Sequence, residues 1–485
     1  MWNFGKRVKN GEILYGKRVN LCYYAIGKRV FKLNMLYRKE QKRIEEWLKN
    51  GTKPLMITGA RQVGKSFLIR ETLKQNQIDY VEFNFIKDLA AKNVFESLLN
   101  NDLDAFGLTI GLLSKKKLHK GMIIFLDEVQ EIKEMLTIIK FLAEKGDYKY
   151  ILSGSLLGVE LTNLKSAPVG YLETQIMYPL DLEEFYIANG LGSEVLDYLK
   201  EKFEKKEAVD ENIHKALMET FYRYLIVGGM PEAVQTYIND QDLNEVMQIH
   251  GSIINEYKRD FTKYERNKLK LIKTYELIPS ELNSKNKRYM FSDLDKNLRF
   301  DKYENSFNWL IDAGVAIPAY NVTEFQLPLE ASKKSNLFKF FLSDVGLLSN
   351  LYGRATVLKL LNHGESINCG AIYENFIAQE INAHSFKTYY FNSKKHGEVD
   401  FLIEHDEQLL PIEVKSGKDY QSHSALSYFM TTPCFKNAIV FSNYNVSVKE
   451  KVVYLPIYMV MFLNNNGRIG KIKHDDLSKI TINGI

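Results

Sequence analysis

The sequence has 485 residues, of which 45% are hydrophobic and 26% are charged, and this is the composition of an ordinary soluble globular protein of roughly two to four domains. Its net charge of +5 excludes a globally basic nucleic-acid binder, so any such role would depend on local patches. The chain has three widely separated cysteines, no apolar run of about 18 residues and no secretion signal. These features predict a cytoplasmic protein without disulfide bonds, a zinc site or a membrane-spanning segment.

Residues 1–34 differ in composition from the rest of the chain. They carry eight Lys or Arg and one acidic residue, and the tetrapeptide GKRV begins in them three times. A basic arm that binds nucleic acid is one interpretation. The interpretation that we favour is a non-native or disordered extension, with the working protein starting at Met35, directly before a helical pattern.

A phosphate-binding loop is predicted after the first buried strand. The apolar run LMIT leads into GARQVGKS and then into the apolar-periodic FLIRETL, so the motif G-x-x-x-x-G-K-[ST] lies between a strand and a helix. Its residues are Gly59, Ala60, Arg61, Gln62, Val63, Gly64, Lys65 and Ser66. The glycines let backbone N–H groups surround a β-phosphate, Lys65 neutralises the β- and γ-phosphates, and Ser66 ligates Mg²⁺. The motif therefore predicts that the chain binds ATP and Mg²⁺.

Two further strands are predicted to end beside this loop. The run GMIIFL ends in Asp127, predicted to hold Mg²⁺, and Glu128, predicted to activate the attacking water. The run YILS leads to Ser155, which either senses the γ-phosphate or belongs to a plain Ser-Gly turn. Because strands alternate with helical patterns here, the predicted fold class is α/β with a doubly wound parallel sheet.

The middle of the chain, from about residue 269 to residue 350, is predicted to contain three short helices and a ribbon. The helical patterns cover 269–282, 291–298 and 302 to about 314, and the extended segments cover 316–320 and 337–342. This order suggests a winged helix. Basic residues cluster around its second and third helices, namely Lys285, Lys287, Arg288, Lys296, Arg299 and Lys302. They either neutralise DNA phosphates or form a solvated face of a packing domain.

A β-hairpin is predicted over 397–416, GEVDFLIEHDEQLLPIEVKS. A four-residue loop at 405–408 pairs Glu404 with Leu409 and places Asp400 opposite Glu413. One face of the hairpin is predicted to hold the apolar residues Val399, Phe401, Ile403, Leu410, Ile412 and Val414, and the other face Asp400, Glu413 and Lys415.

The two facing carboxylates of this hairpin need an explanation. Like charges opposite each other destabilise a strand pair unless a cation lies between them. We therefore interpret Asp400 and Glu413 as ligands of a divalent metal that polarises a phosphate, with Lys415 orienting the attacking water. The alternative is an ordinary hairpin whose exposed acids are partly neutralised by Lys415.

A series of stretches, taken together, resembles one family. They are, in chain order, GARQVGKS, FLDEVQ, LSGSLLGVEL, SAPVG with YPLDLEEF, VGGMPEAV, FNWLIDAG, LSDVGLL, YENFIAQEI, and EVDFLI with PIEVKSG. From Met35 onward the chain is similar to prokaryotic AAA-type ATPases fused to a C-terminal domain of unknown function with a nuclease-like fold. Many members have Gly-Arg where this chain has Gly170-Tyr171, which puts an arginine finger there in doubt and makes Arg223 and Arg259 other candidates.

The resemblance, with the patterns above, implies four segments: the extension 1–34, an AAA-type ATP-binding domain at 35–255, a winged-helix-like domain at 256–350, and a PD-(D/E)XK nuclease-like domain at 351–485. In the last segment, Glu374 on the helix YENFIAQEI would join Asp400, Glu413 and Lys415 as the catalytic set.

The function predicted from the sequence is that of an ATP-binding and ATP-hydrolysing AAA-type protein whose C-terminal domain acts on DNA, with metal-dependent cleavage left open. The alternative is a nucleotide-switched protein-interaction or DNA-binding module with an inactive nuclease-like domain. The predicted partners are ATP and, through the winged-helix and C-terminal domains, DNA; a homo-oligomer is left open, and no membrane partner is expected.

Overall fold

The computed structural model describes residues 22–25, 30–33, 35–98, 106–155, 170–264, 268–284, 287–290, 303–363 and 369–465. Several features predicted from the sequence lie outside these ranges, namely nearly all of the GKRV repeats, the helical pattern at 291–298, and the basic residues Lys285, Lys296, Arg299 and Lys302. Within the described ranges, no helix has both the length and the apolar character needed to cross a membrane.

The strands of the described residues are β1 (Cys22–Ala25), β2 (Val30–Leu33), β3 (Leu55–Thr58), β4 (Tyr80–Asn84), β5 (Ile123–Asp127), β6 (Lys149–Ser153), β7 (Glu173–Ile176), β8 (Ala316–Val322), β9 (Lys333–Leu342), β10 (Tyr389–Ser393), β11 (Gly397–His405), β12 (Gln408–Lys415), β13 (Ala438–Ser442), β14 (Ser447–Lys449) and β15 (Val452–Pro456). Strands β1 and β2 pair with each other as an antiparallel ladder.

The helices of the described residues are α1 (Lys39–Asn50), α2 (Lys65–Gln75), α3 (Leu89–Ser97), α4 (Phe106–Ser114), α5 (Met135–Lys145), α6 (Leu182–Ala188), α7 (Ser193–Lys205), α8 (Glu211–Val227), α9 (Pro231–Asp240), α10 (Leu243–Tyr264), α11 (Lys268–Asn283), α12 (Glu304–Asp312), α13 (Val345–Tyr352), α14 (Arg354–Leu361), α15 (Gly370–Ala383) and α16 (Ser424–Thr431).

Five parallel strands form the first sheet, in the order β4-β5-β6-β3-β7. Successive residues of β3 pack into different apolar clusters. Leu55 and Ile57 lie in one cluster, and Met56 lies in the other. Both faces of the sheet are therefore covered, which explains why its inner strands are continuous apolar runs. The predicted α/β parallel sheet is confirmed. Because the strands are parallel, their carboxyl ends meet along one edge of the sheet.

Eight strands form the second sheet, in the order β14-β15-β13-β12-β11-β10-β8-β9. The predicted ribbon corresponds to β8 and β9, and β8 pairs in parallel with β10 through Tyr320 and Tyr389. A separate winged-helix domain is therefore not confirmed, and the predicted boundary at 350 divides strands of a single sheet. The local pattern correctly indicated a hairpin, but it carries no information about a strand that joins this hairpin from about 70 residues further along the chain.

The hairpin of β11 and β12 has the predicted register, with Glu404 opposite Leu409 and Phe401 opposite Ile412. Its turn is shorter than predicted, because His405 pairs with Gln408 and the turn consists of Asp406 and Glu407 alone. These two residues have φ values of 48° and 60°, the positive values of a two-residue type I′ turn.

A β-bulge in β11 also changes the predicted faces. Tyr389 pairs with Leu402 but Phe391 pairs with Val399, so that Asp400 and Phe401 together lie opposite one residue of β10. The bulge interrupts the alternation of side chains. Val399 consequently packs in the same cluster as Leu402, away from the predicted apolar set. The other members of that set, Phe401, Ile403, Leu410, Ile412 and Val414, do pack in one cluster.

The two sheets are joined by contacts between the motifs VGGMPEAV and LSDVGLL. The backbone N–H of Gly229 donates to Asp344 at 2.6 Å, and a Cβ atom at Gly228 would lie only 2.3 Å from the same carboxylate. Burial raises the pKa of Asp344 to about 6, although backbone N–H groups oppose this change. Gln379 of α15 donates to the hydroxyl of Tyr224 at 2.6 Å. The carboxylate of Asp344 occupies the space that a side chain at position 228 would need, so glycine is required there.

Candidate functional site

The phosphate loop is the turn between β3 and α2. Gly59 has a φ of 140°, and a Cβ atom there would lie 2.1 Å from the carbonyl oxygen of Met177, the residue after β7. Gly64 has a φ of 91° and directly precedes the helix. Other residues rarely adopt such φ values, so the two glycines of the motif are required by the backbone. The carbonyl of Val63 accepts a hydrogen bond of 3.1 Å from Arg38.

Lys65 is folded back over this loop. Its ammonium donates to the carbonyl oxygens of Gly59 at 3.0 Å and Ala60 at 2.7 Å, and the residue is 7% exposed. Burial lowers the pKa of Lys65 to about 8, and the carboxylates of Glu128 and Asp127 oppose this effect. The ammonium of Lys65 therefore lies against the loop that is predicted to bind phosphate, and it loses its proton more readily than a lysine in water does.

Ser66 and Asp127 meet at the carboxyl edge of the first sheet. The hydroxyl of Ser66 donates to one oxygen of Asp127 at 2.6 Å. The other oxygen of Asp127 accepts from Asn84 at 2.9 Å and from Arg70 at 3.1 Å. This hydroxyl and this carboxylate are hard oxygen ligands of the kind that Mg²⁺ prefers, and Mg²⁺ keeps waters and phosphate oxygens at its other positions. The predicted pair is thus brought together in an arrangement that fits the ion.

Three further residues of this cluster were not predicted from the sequence. Ser153 lies with its hydroxyl 3.4 Å from that of Ser66, while Arg70 and Asn84 bind Asp127. Asn84 and Ser153 end the two strands that flank β5, and both are in register with Asp127. The signal that could have identified them is a polar residue at the end of each apolar parallel strand.

Glu128 and Ser155 lie just beyond the ends of their strands. Glu128 has a left-handed backbone with φ 57°, and its carboxylate accepts a hydrogen bond of 2.6 Å from Gln130. Ser155 is buried, two residues after Ser153. The serine hydroxyl that lies 3.4 Å from Ser66 belongs to Ser153, the last residue of β6.

The carboxylates predicted for the C-terminal domain surround a lysine. The ammonium of Lys339, on β9, lies 3.2 Å from Glu374 of α15, 2.5 Å from Glu398 and 3.6 Å from Asp400 of β11. Its side chain is 0% exposed. Burial alone would lower the pKa of Lys339, but the three carboxylates outweigh burial and raise this pKa well above its ordinary value. A buried cation thus lies among the predicted acids.

Two more lysines complete this group, which we call the lysine–carboxylate cluster: Lys287, Lys339, Glu374, Glu398, Asp400, Glu413 and Lys415. Lys287 forms an ion pair with Glu374, and Lys415 forms one with Glu413 at 2.8 Å. Burial raises the pKa of Asp400, but Lys339 and Lys287 outweigh it and the net change is downward. Burial and the charge of Asp400 raise the pKa of Glu413 to about 8.

The lysine–carboxylate cluster does not fit a divalent metal ion. Lys339 already contacts three of its four carboxylates, and Asp400 also accepts a hydrogen bond of 2.9 Å from the backbone N–H of Val414. Among the described residues, no group of three or more His, Cys, Asp or Glu has an arrangement that could hold a metal. The ammonium groups supply the charge compensation that the sequence interpretation assigned to Mg²⁺.

Lys339 and Glu398 were missed by the sequence reasoning, and Lys287 was assigned a different role. Lys339 interrupts the apolar run LFKFFL, and a single charge inside a buried strand is a signal for a buried ion pair. Lys287, predicted among the residues that face DNA, is turned inward to Glu374. Arg288 next to it is half-buried.

Three family models match separate parts of the chain. The model of an AAA domain matches residues 51–186, and two domains of unknown function, DUF8612 and DUF4143, match residues 218–358 and 369–460. Residues 51–186 are therefore similar to an AAA domain, and we use that term for them. The second match spans the predicted boundaries at 255 and 350, and neither of the later matches indicates a winged helix or a nuclease. A comparison with curated proteins finds no match.

Three solved structures are similar to parts of the chain. A Walker-type ATPase of Pyrococcus abyssi is 16% identical, with 66% of this chain and 96% of that chain covered and a TM-score of 0.41. The Aeropyrum pernix ORC1 protein, solved in complex with DNA, is 11% identical over 66% and 93% of the two chains, with a TM-score of 0.29. AMPPCP-bound DnaA from Aquifex aeolicus is 15% identical over 47% and 92%, with a TM-score of 0.23. Likeness at this level says nothing about what this chain binds.

Nucleotide affinity of the AAA domain should fall above pH 8. Lys65 has a pKa of about 8 in the absence of nucleotide, so above that pH it is neutral and must take up a proton when a triphosphate binds. We expect the Kd of Mg·ATP to rise by up to about tenfold for each pH unit above 8. Fluorescence titration with a labelled ATP at constant ionic strength measures this dependence.

The control for this prediction is Lys65→Arg. A guanidinium stays protonated throughout the range, so the variant should show no such pH dependence even where its affinity is weaker. A wild-type Kd that is constant from about pH 7 to pH 9.5 would show that the lysine keeps its proton without nucleotide.

Proposed function

We propose that the chain binds Mg·ATP at the phosphate loop of its AAA domain and hydrolyses it. The observation that carries the proposal is the cluster at the edge of the first sheet, where Lys65 closes over the loop and Ser66 and Asp127 share a hydrogen bond of 2.6 Å. Ser66 and Asp127 would hold Mg²⁺, which would neutralise charge on the β- and γ-phosphates. Lys65 would exchange its carbonyl partners for phosphate oxygens.

Glu128 is the proposed general base of the hydrolysis. It directly follows Asp127, the proposed metal ligand, which is the last residue of β5. Gln130 donates to one oxygen of Glu128 and restrains the side chain. The other oxygen would accept a proton from the water that attacks the γ-phosphate. Asn84 and Arg70 would act as positioning residues, since both bind the carboxylate of Asp127.

Substitution of Lys65 by alanine tests the proposed site. We expect the variant to bind Mg·ATP about 100-fold more weakly than the wild type, because a charge-assisted contact to phosphate is removed. The matched control is Lys74→Ala, which removes a mostly exposed lysine from the same helix and should leave the Kd unchanged. Titration with a fluorescent ATP analogue measures both. Equal affinity in the two variants would place any nucleotide site elsewhere in the chain.

For the C-terminal region we favour the second function considered from the sequence, a nucleotide-controlled binding module without metal-dependent cleavage. The observation that favours it is Lys339, whose ammonium contacts Glu374, Glu398 and Asp400. The test is incubation of the wild type with linear, branched and single-stranded DNA, with Mg²⁺ or Mn²⁺ and with or without ATP. Cleavage that is lost in a Lys415→Ala variant would restore the nuclease hypothesis.

DNA and a second copy of the chain remain proposed partners. With Lys287 turned inward, a DNA contact in the middle region would depend on the other predicted basic residues, namely Lys285, Arg288, Lys296, Arg299 and Lys302. Arg223, an arginine-finger candidate, is exposed on α8, as a contribution to a neighbouring subunit would require.

A further inference from the structure

Two side chains of the phosphate loop are bound to a helix outside the AAA domain. One guanidinium nitrogen of Arg61 donates to both carboxylate oxygens of Asp260, at 2.6 and 2.7 Å. The amide of Gln62 donates to Glu256 at 2.6 Å, and the hydroxyl of Tyr257 donates to the carbonyl oxygen of Arg61 at 3.2 Å. All three partners lie within two turns at the end of α10. The loop and this helix are therefore locked together by three side-chain contacts.

The position of Arg61 makes this lock relevant to the nucleotide. Burial is the main cause of the low pKa of Lys65, but the positive charge of Arg61 contributes to it, so the two cations lie within electrostatic range. Burial lowers the pKa of Arg61, but Asp260 outweighs this effect, with a smaller contribution from Glu128, and the net change is upward. Arg61 thus interacts electrostatically with Lys65 and Glu128, two of the groups proposed to act on the γ-phosphate.

The carboxylates of α10 compete with such a phosphate. Asp260 and Glu256 are anions within hydrogen-bond reach of the loop that would bind an anion, so they repel a triphosphate as well as occupying the side chains that could contact it. The side chain of Arg61 is 31% exposed and that of Asp260 is 5% exposed, so the arginine is the partner with room to turn away.

The end of α10 is connected to the second sheet. Phe261 packs edge-on against Trp309 of α12, with 5.2 Å between ring centroids. At Gly314, after that helix, an added Cβ atom would be 3.2 Å from the backbone nitrogen of Ala60. Further back on α10, the carbonyl of Met247 accepts from Asn350 of α13 at 3.2 Å. A displacement at the end of α10 would therefore reach α12, which leads into β8, and a displacement of the whole helix would also reach α13, which follows β9.

We propose that Arg61 and Asp260 form a nucleotide-sensitive latch: without ATP, Arg61 binds Asp260 and holds α10 on the phosphate loop, and with ATP it turns to the terminal phosphate and releases α10. The latch rests on the proposed binding of ATP to this loop and adds the route by which the nucleotide reaches the second sheet. ADP lacks the γ-phosphate, so it leaves Arg61 bound to Asp260 and the latch closed.

Affinities for Mg·ATPγS and Mg·ADP, measured by calorimetry, test the latch. The Asp260→Asn variant should bind ATPγS about tenfold more tightly than the wild type, with a change for ADP of less than about threefold, because a competing anion is removed. The Arg61→Ala variant should lose about tenfold more affinity for ATPγS than for ADP, because only ATPγS has the γ-phosphate that Arg61 would contact. The matched control is Glu276→Gln, which removes a carboxylate of α11 that pairs with Lys258 of α10 at 2.5 Å, away from the loop.

Hydrogen exchange on the unmodified protein gives a second readout. Amides of 256–264 should exchange faster with ATPγS than with ADP, because the end of α10 is released. If Asp260→Asn fails to fold, Glu256→Gln and this exchange experiment decide. Two results would overturn the latch alone, provided that the wild type binds ATPγS. One is that Asp260→Asn binds ATPγS no more tightly than the wild type does, and the other is that ATPγS and ADP give the same exchange rates at 256–264. A wild type that binds no nucleotide overturns the proposed function as well.

Discussion

Replacing Lys339 by methionine should lower the thermal unfolding midpoint of the second sheet by about 10 °C, since breaking a buried ion pair costs about 3–5 kcal/mol and each kcal/mol shifts the midpoint of a unit of this size by about 2–4 °C. Methionine keeps most of the volume of the lysine, so a lower midpoint would result from the loss of the positive charge and not from a cavity. The variant leaves Glu374, Glu398 and Asp400 close together with Lys287 as the remaining cation beside Glu374. Calorimetry of the full chain measures the midpoint.

The control for this prediction is Lys334→Met on the same strand. Lys334 is exposed, so its loss should change stability by less than about 0.5 kcal/mol. Mn²⁺ should restore part of the lost stability in Lys339→Met and have no such effect on the wild type, because only the variant offers carboxylates without their central cation. An unchanged midpoint would mean that Lys339 does not neutralise these acids.

Substitution of Glu128 by glutamine should slow ATP hydrolysis by about 10²- to 10⁴-fold, which is the usual contribution of a general base. Glutamine keeps the shape of the side chain and removes its ability to accept a proton. Binding of Mg·ATP should stay within about threefold of the wild type, because the affinity is assigned to Lys65 and Ser66. Phosphate release under single-turnover conditions, with the Kd measured in parallel, separates the two effects.

The control for the general base is Glu131→Gln. Glu131 lies three residues further along, is half-buried, and pairs with Lys92 at 3.4 Å. Its loss should leave the hydrolysis rate unchanged. If Glu128→Gln hydrolyses ATP at the rate of the wild type, another group activates the water and the assignment of Glu128 is wrong.

The AAA domain shows how much of a site can be predicted from sequence. A strand, a glycine loop and a helix are local features, and the positive φ of Gly59 and Gly64 follows from the same short motif. The apolar run before Asp127 predicted a buried strand of the same sheet, and that strand was found. Ser153 and Asn84 were missed because their role depends on strand order, with β5 between β4 and β6, and no local pattern specifies that order.

The C-terminal region shows the opposite case. The register of Glu404 and Leu409 was predicted correctly, because a hairpin is closed by neighbouring residues. The bulge at Asp400 and Phe401 was not, because it is created by pairing with β10 on the far side of β11. Likewise, β8 and β9 were predicted as extended segments of a winged helix, but the sheet that they share with β10 was not predicted, since that partner strand follows much later in the chain.

The sequence by itself thus determined the phosphate loop, the buried strand that carries Asp127, and the hairpin with its register from Phe401 to Gln408, all of which depend on residues close together in the chain. Tertiary structure alone decided that Lys339 lies beside Asp400 and that Asp260 binds Arg61. Lys339 lies 61 residues before Asp400, and Asp260 lies 199 residues after Arg61. The physical reason is that a buried charge is neutralised by whichever opposite charge packing brings within about 4 Å, and that distance is set by the fold.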